Sequence, residues 1–80
     1  MNLNRIFAIK LSNLLLEKKI SKYKLEKMTG LSHSALRYIF NEVNEDVKFS
    51  TIVKVCQALN IDLKDFFNDE MFDINNLDAE

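Results

Sequence analysis

The sequence predicts an all-α fold, on three observations. Its 80 residues include one Gly and no Pro, so a sheet would lack the turn residues that hairpins need. Apolar side chains recur at three- and four-residue spacing, and β-branched runs are few. An Ile or Leu followed by Ser or Asp precedes three of the periodic segments, at Ile20-Ser21, Leu31-Ser32 and Ile61-Asp62. That is the pattern of a helix N-cap with a hydrophobic staple residue before it.

Taken in chain order, Leu3, Phe7, Leu11 and Leu14, with Ile6 and Leu15 beside them, predict an amphipathic helix over Asn4 to Lys18. Lys18 and Lys19 suit its negative C-terminal end. Ser21 caps a second helix of about Lys22 to Thr29, and Ile20 is placed to staple onto Leu25. Gly30 supplies a left-handed turn residue. Ser32 then caps a third helix, about His33 to Asn41, with Leu31 stapled to Leu36. Residues 41–48 lose periodicity and are expected to form a polar loop. Ile52, Val55, Cys56 and Leu59 stand at i, i+3, i+4 and i+7 and predict a fourth helix from Phe49 to Leu59, capped by Asp46 or Ser50. Asn60 falls where a helix ends in the left-handed region, which Asn tolerates second only to Gly. Asp62 caps a fifth helix, with Ile61 stapled to Phe66. After Asn68 the apolar residues Met71, Phe72, Ile74 and Leu77 are set among carboxylates. The chain therefore divides into residues 1–68, carrying the helices, and an acidic tail, residues 69–80.

Composition excludes several functional classes. A chain of this length buries about 60 to 65% of its unfolded surface, enough for one small domain and too little for a large catalytic cleft. The single Cys56 rules out an intrachain disulfide and any multi-cysteine metal site, and its place in the fourth apolar stripe marks it as a buried, inert thiol. One His, one Cys and no Gly-rich phosphate loop leave nothing resembling a nucleophile-base pair, so neither catalysis nor a cofactor is expected. Ile6 to Leu16 is interrupted by Lys10, Ser12 and Asn13, lacks a cleavage site after it and is too short to span a bilayer. With no such segment and an unpaired Cys, the expected compartment is a reducing cytoplasm.

The net charge of −1 conceals a dipole. Residues 1–41 carry eight basic groups, Arg5, Lys10, Lys18, Lys19, Lys22, Lys24, Lys27 and Arg37, against Glu17 and Glu26, a balance of +6. Residues 42–80 set Lys48, Lys54 and Lys64 against ten carboxylates, a balance of −7, and five of those ten follow Asn68. The two halves are either plain solvated surface or, on the basic side, a local field that attracts nucleic acid even when the total does not, and the local pattern decides between them.

The two short helices around Gly30 form a helix-turn-helix arrangement. Leu25, Leu36 and Ile39 hold the second of them against the first, which leaves His33, Ser34, Arg37, Tyr38 and Asn41 on the protruding face. Over Leu11 to Phe67 the chain resembles the phage-repressor-like DNA-binding domains, the Cro, lambda-repressor and XRE family. The resemblance rests on Leu25, Gly30, Leu31-Ser32, Ser34, Leu36 and Ile39, then on Ile52-Val53-Lys54-Val55 and Ala58-Leu59-Asn60-Ile61-Asp62-Leu63. It implies a compact five-helix domain whose third helix lies in the major groove. Departures from the family pattern are informative. Glu26 stands where a small residue is usual, so the contact between the two helices is expected to loosen or Glu26 to reach solvent past it. Lys22 replaces a frequent Gln, and Glu42 and Val47 replace a loop Gly and Pro. Leu15 and Phe40 stand where the family often has an Arg-Glu pair, an exchange of both members that a buried ion pair tolerates. Leu15 is expected to pack on Phe40.

Carried over position by position, the resemblance implies base-edge contact from His33, Ser34, Tyr38 and Asn41, with Arg37 reading guanine bidentately or holding a phosphate. Phosphate contact is expected from Ser21, Lys22, Tyr23, Asn44 and Lys48, with backbone N–H groups at the starts of the second and fourth helices. Lys27 reads as solvated charge. Phe67, Met71, Phe72, Ile74 and Leu77 have three uses open to them: closing the monomer's core, forming a twofold interface, or docking another protein. The expected function is a sequence-specific bacterial or phage transcriptional regulator, most simply a repressor that binds double-stranded DNA as a homodimer. The alternative is an antitoxin or anti-repressor type of interaction module whose tail binds a partner protein.

Overall fold

The computed structural model describes residues 3–40 and 47–77, and every described regular element is helical. Five α-helices follow one another: α1 Leu3–Lys18, α2 Lys22–Thr29, α3 His33–Phe40, α4 Phe49–Leu59 and α5 Leu63–Phe67. Two single 3₁₀ turns, Glu70–Phe72 and Ile74–Asn76, complete the described chain. The expected α2, α4 and α5 are reproduced, and α1 begins one residue earlier than the periodicity indicates. The predicted end of the third helix at Asn41, and most of the predicted loop, lie outside the described residues.

Each α-helix contributes to one core. Phe7, Leu11 and Leu15 come from α1, Leu25 from α2, Leu36 and Ile39 from α3, Val55, Cys56 and Leu59 from α4, and Phe66 from α5. Leu11, Leu25 and Val55 are completely buried, and each such side chain contributes about 1.5 to 3 kcal/mol of transfer free energy. Leu15 lies in this core and Phe40 packs against it, and α1 and α3 are in contact, consistent with apolar residues at both positions. Burial pushes the Cys56 thiol pKa upward, so the buried side chain stays protonated and unreactive.

Three helix ends turn through the left-handed region. Gly30 (φ 74°) ends α2, donating its N–H to the Glu26 carbonyl oxygen at 3.0 Å. Asn60 (φ 56°) ends α4, where Ile61 donates to the Cys56 carbonyl at 2.9 Å and Asn60 to that of Gln57 at 3.2 Å, a Schellman motif. The third is Lys19 (φ 58°), which the sequence reading missed. Ile20 donates to the Leu15 carbonyl at 2.9 Å and Lys19 to that of Leu16 at 3.2 Å, the same motif built on a residue with a Cβ. Ile20 is thereby folded back onto the core.

The N-termini need two corrections. Lys48, not Asp46 or Ser50, occupies the N-cap position of α4 and provides no side-chain cap; Ser50 is inside the helix and Asp46 lies outside the described residues. Asp62 holds the N-cap position of α5, yet its carboxylate makes no capping bond, and its backbone carbonyl alone accepts, from Asp65 and Phe66.

The tail folds back on the bundle. Phe72 packs on Phe66 and Phe67 with ring centroids 5.8 and 4.9 Å away, and Phe66 in turn lies 5.5 Å from Phe7. Asp69 accepts a hydrogen bond from Lys10 Nζ at 3.0 Å, tying the tail to α1. The backbone N–H of Met71 and the Lys10 ammonium hold the Asp69 carboxyl below its ordinary pKa.

Candidate nucleic-acid interface

The helix-turn-helix is built from local chemistry. Ser21 accepts the Lys24 N–H at 3.0 Å, and Ser32 accepts that of Ala35 at 3.1 Å, so each helix has the predicted hydroxyl cap. Between them the Thr29 hydroxyl donates to the Leu25 carbonyl at 2.8 Å and accepts from the Leu31 N–H at 3.1 Å. The turn is thus closed by hydrogen bonds from its own residues. Buried Leu25, Leu36 and Ile39 lock α3 in place.

That packing leaves His33, Ser34, Arg37 and Tyr38 exposed on α3. They do not form one cluster. Ser34 and Tyr38 line an open groove of about 360 Å³ shared with Ser32, Val47, Lys48 and Thr51. His33 and Arg37 line a smaller groove of about 170 Å³, together with Lys22, Tyr23, Glu26 and Phe40. Each flank of α3 therefore joins two of the base-contact candidates to residues expected at phosphate: Lys48 on one side, Lys22 and Tyr23 on the other. Ser21 is exposed at the start of α2. Asn41 and Asn44 lie outside the described residues.

Several cations are held by rings. Lys22 Nζ sits 4.3 Å from the Phe40 ring centroid, bridging α2 to α3, and Lys27 Nζ lies 5.2 Å from that of Tyr23. Such stacking orients an ammonium at a cost far below that of burying it. Glu26 departs from expectation in a specific way: its half-buried carboxylate turns along α3 and takes a hydrogen bond from His33 Nδ1 at 3.1 Å. Sequence reasoning missed that pairing and also Thr51, whose place beside Tyr38 depends on how α4 meets α3.

The tail candidates separate as well. Phe67 and Phe72 pack on the core, and Met71 and Leu77 are half-buried. Ile74 stands out, 78% exposed. Among the described residues, no helix is long and apolar enough to cross a membrane.

A family model described as Cro/C1-type HTH DNA-binding domain matches residues 10–71, from the second turn of α1 through Met71. The chain belongs to this helix-turn-helix DNA-binding family. No curated protein and no solved structure matches the chain. The exposed face of α3 is flanked by Lys48 in one groove and Lys22 in the other.

Proposed function

We propose that this protein is a sequence-specific transcriptional regulator, most simply a repressor that occludes a promoter, with α3 entering the major groove. The observation that carries the proposal is the arrangement of α3: an apolar side fixed by Leu25, Leu36 and Ile39, and a free side of four hydrogen-bonding residues with cationic residues on both flanks. His33, Ser34, Tyr38 and Asn41 serve base edges, and Arg37 either reads guanine or holds a phosphate. Ser21, Lys22, Tyr23, Asn44 and Lys48 set the register on the backbone. Residues 1–68 are the DNA-binding unit and 69–80 an appended acidic segment. The setting is a bacterial or phage-infected cytoplasm, on the nucleoid.

One headpiece offers few base contacts, so the operator-bound form is a homodimer reading half-sites about 34 to 36 Å apart. Exposed Ile74, beside half-buried Met71 and Leu77, is the apolar element of the tail open to a second copy. The same observation supports a second reading, in which the tail binds a different protein in the manner of an antitoxin or anti-repressor.

Selection of bound duplexes from a random pool, with the full chain and a chain ending at Asn68 in parallel, tests both readings. A repressor yields a motif with two half-sites. A partner-binding module yields no enrichment and co-purifies with a stoichiometric protein. Arg37→Ala separates its two roles: loss of a phosphate contact lowers the salt-dependence slope by about one without changing the motif, whereas loss of a guanine contact relaxes one base position.

A further inference from the structure

The contact between Glu26 and His33 crosses the turn of the helix-turn-helix and joins an α2 carboxylate to the first residue of α3. A carboxylate has no proton to give, so Nδ1 must carry the hydrogen in their 3.1 Å bond. This leaves Nε2, on the far edge of the ring, as the atom available to a ligand. The His33 side chain is 75% exposed while that of Glu26 is only 20% exposed, so the imidazole is presented outward and the carboxylate sits behind it. Lys22 and Tyr23 of α2 and Arg37 of α3 line the same groove and are, among the described residues, its other charged or titratable groups.

We propose that Glu26 is a specificity-determining positioning residue. By accepting Nδ1–H it fixes His33 in the tautomer whose Nε2 is a hydrogen-bond acceptor, and so directs that position to a base bearing an exocyclic amino group, adenine through N6 or cytosine through N4. The inference rests on the assignment of α3 to the major groove. In the opposite tautomer Nε2 would carry hydrogen and pair with guanine or thymine acceptors instead. Preference at this base position is therefore set by which ring nitrogen Glu26 occupies.

The test has two parts on the full-length chain. His33 is the sole histidine, so its ring nitrogens can be read without ambiguity by ¹⁵N spectroscopy of the free protein at pH 8. The wild type shows Nδ1–H, Glu26→Gln retains it through its amide oxygen, and Glu26→Ala loses it. The second part is selection from a random duplex pool at pH 8. At pH 8 the wild type prefers adenine or cytosine at one position, by about five- to tenfold, the lower range of what one base pair contributes. His33→Ala and Glu26→Ala each abolish that preference, the double variant does no more than either, and Glu26→Gln restores it. Retention of the wild-type preference in Glu26→Ala, or additive effects in the double variant, overturns the proposal, as does an Nε2–H tautomer in the free wild type. If the wild type enriches no sequence at all, the DNA-reading assignment fails, and this inference with it; the spectroscopic result then stands only as a property of the free protein.

Discussion

Replacing Gly30 by Ala isolates the backbone cost of the helix-turn-helix turn. Gly30 has φ 74° and ψ 6°, and a Cβ built on it meets no heavy atom within 4 Å. Crowding therefore contributes nothing, and the penalty is the intrinsic cost of a left-handed L-residue, about 1 to 2 kcal/mol. Ala also narrows the unfolded ensemble, which offsets roughly 0.4 to 1 kcal/mol of that. The expected net loss is about 1 kcal/mol. Gly30→Asn should lose less than Ala, since Asn enters this region more readily. Urea unfolding followed by circular dichroism provides the measurement. With an m-value of about 1 kcal/mol per M, the midpoint of Gly30→Ala falls by roughly 1 M while m itself is unchanged. The thermal midpoint drops by about 4 to 8 °C for a domain of this size. An Ala variant as stable as the wild type, or an Asn variant less stable than Ala, would refute the assignment of the cost to φ.

Lys19→Gly should act in the opposite direction. The same left-handed conformation is occupied there by a residue with a Cβ, and glycine relieves it for a gain of about 0.5 kcal/mol after its larger unfolded-state entropy, read as a higher urea midpoint. Phe72→Ala should cost about 2 to 3 kcal/mol, less than a fully buried Phe because the ring is half-exposed; a loss under about 0.5 kcal/mol would mean that the tail lies on the core without stabilising it. Asp69 has its pKa lowered in the folded chain by Met71 N–H and Lys10, so its contribution is present above the ordinary carboxylate pKa and is lost as pH falls through the folded value. Asp69→Asn should then destabilise at pH 7 and cost less as pH falls below the ordinary carboxylate range, and an equal effect at pH 7 and at pH 3 would contradict the pairing.

What was legible in the sequence was chemistry confined to a few neighbouring residues. Ser21, Ser32, Gly30 and Asn60 are each well suited to the position they hold, and each marked a helix end correctly. Lys19 carries no such mark, because a lysine disfavours the conformation that packing of Ile20 on the core imposes on it. The cap of α4 was misread for a related reason: Ser50 has the right side chain, but the helix begins before it. In the tail, Asp69 and Asp73 accept the N–H groups of Met71 and Asn75, so carboxylates that counted only as acidic charge also shape two turns. On α3 the exposed residues followed from periodicity. Their division between two grooves did not, because it depends on how α2 and α4 are placed around α3.

The +6 and −7 halves also read differently once geometry is known. Glu26 is the one carboxylate in the helix-turn-helix segment, and the structure sets it behind His33, recessed from the exposed face of α3. Lys22 is stacked on Phe40, at the position where the sequence resemblance implies a Glu. An aromatic ring there holds the ammonium without neutralising it, as a carboxylate would. On the acidic side, Asp69 is paired with Lys10 at the junction of α1 and the tail, so the first carboxylate of the tail is engaged within the monomer. Lys22 on Phe40 and Glu26 behind His33 keep cationic charge available along the flanks of α3, and this local difference, more than the total of −1, sets the potential that a phosphate backbone meets.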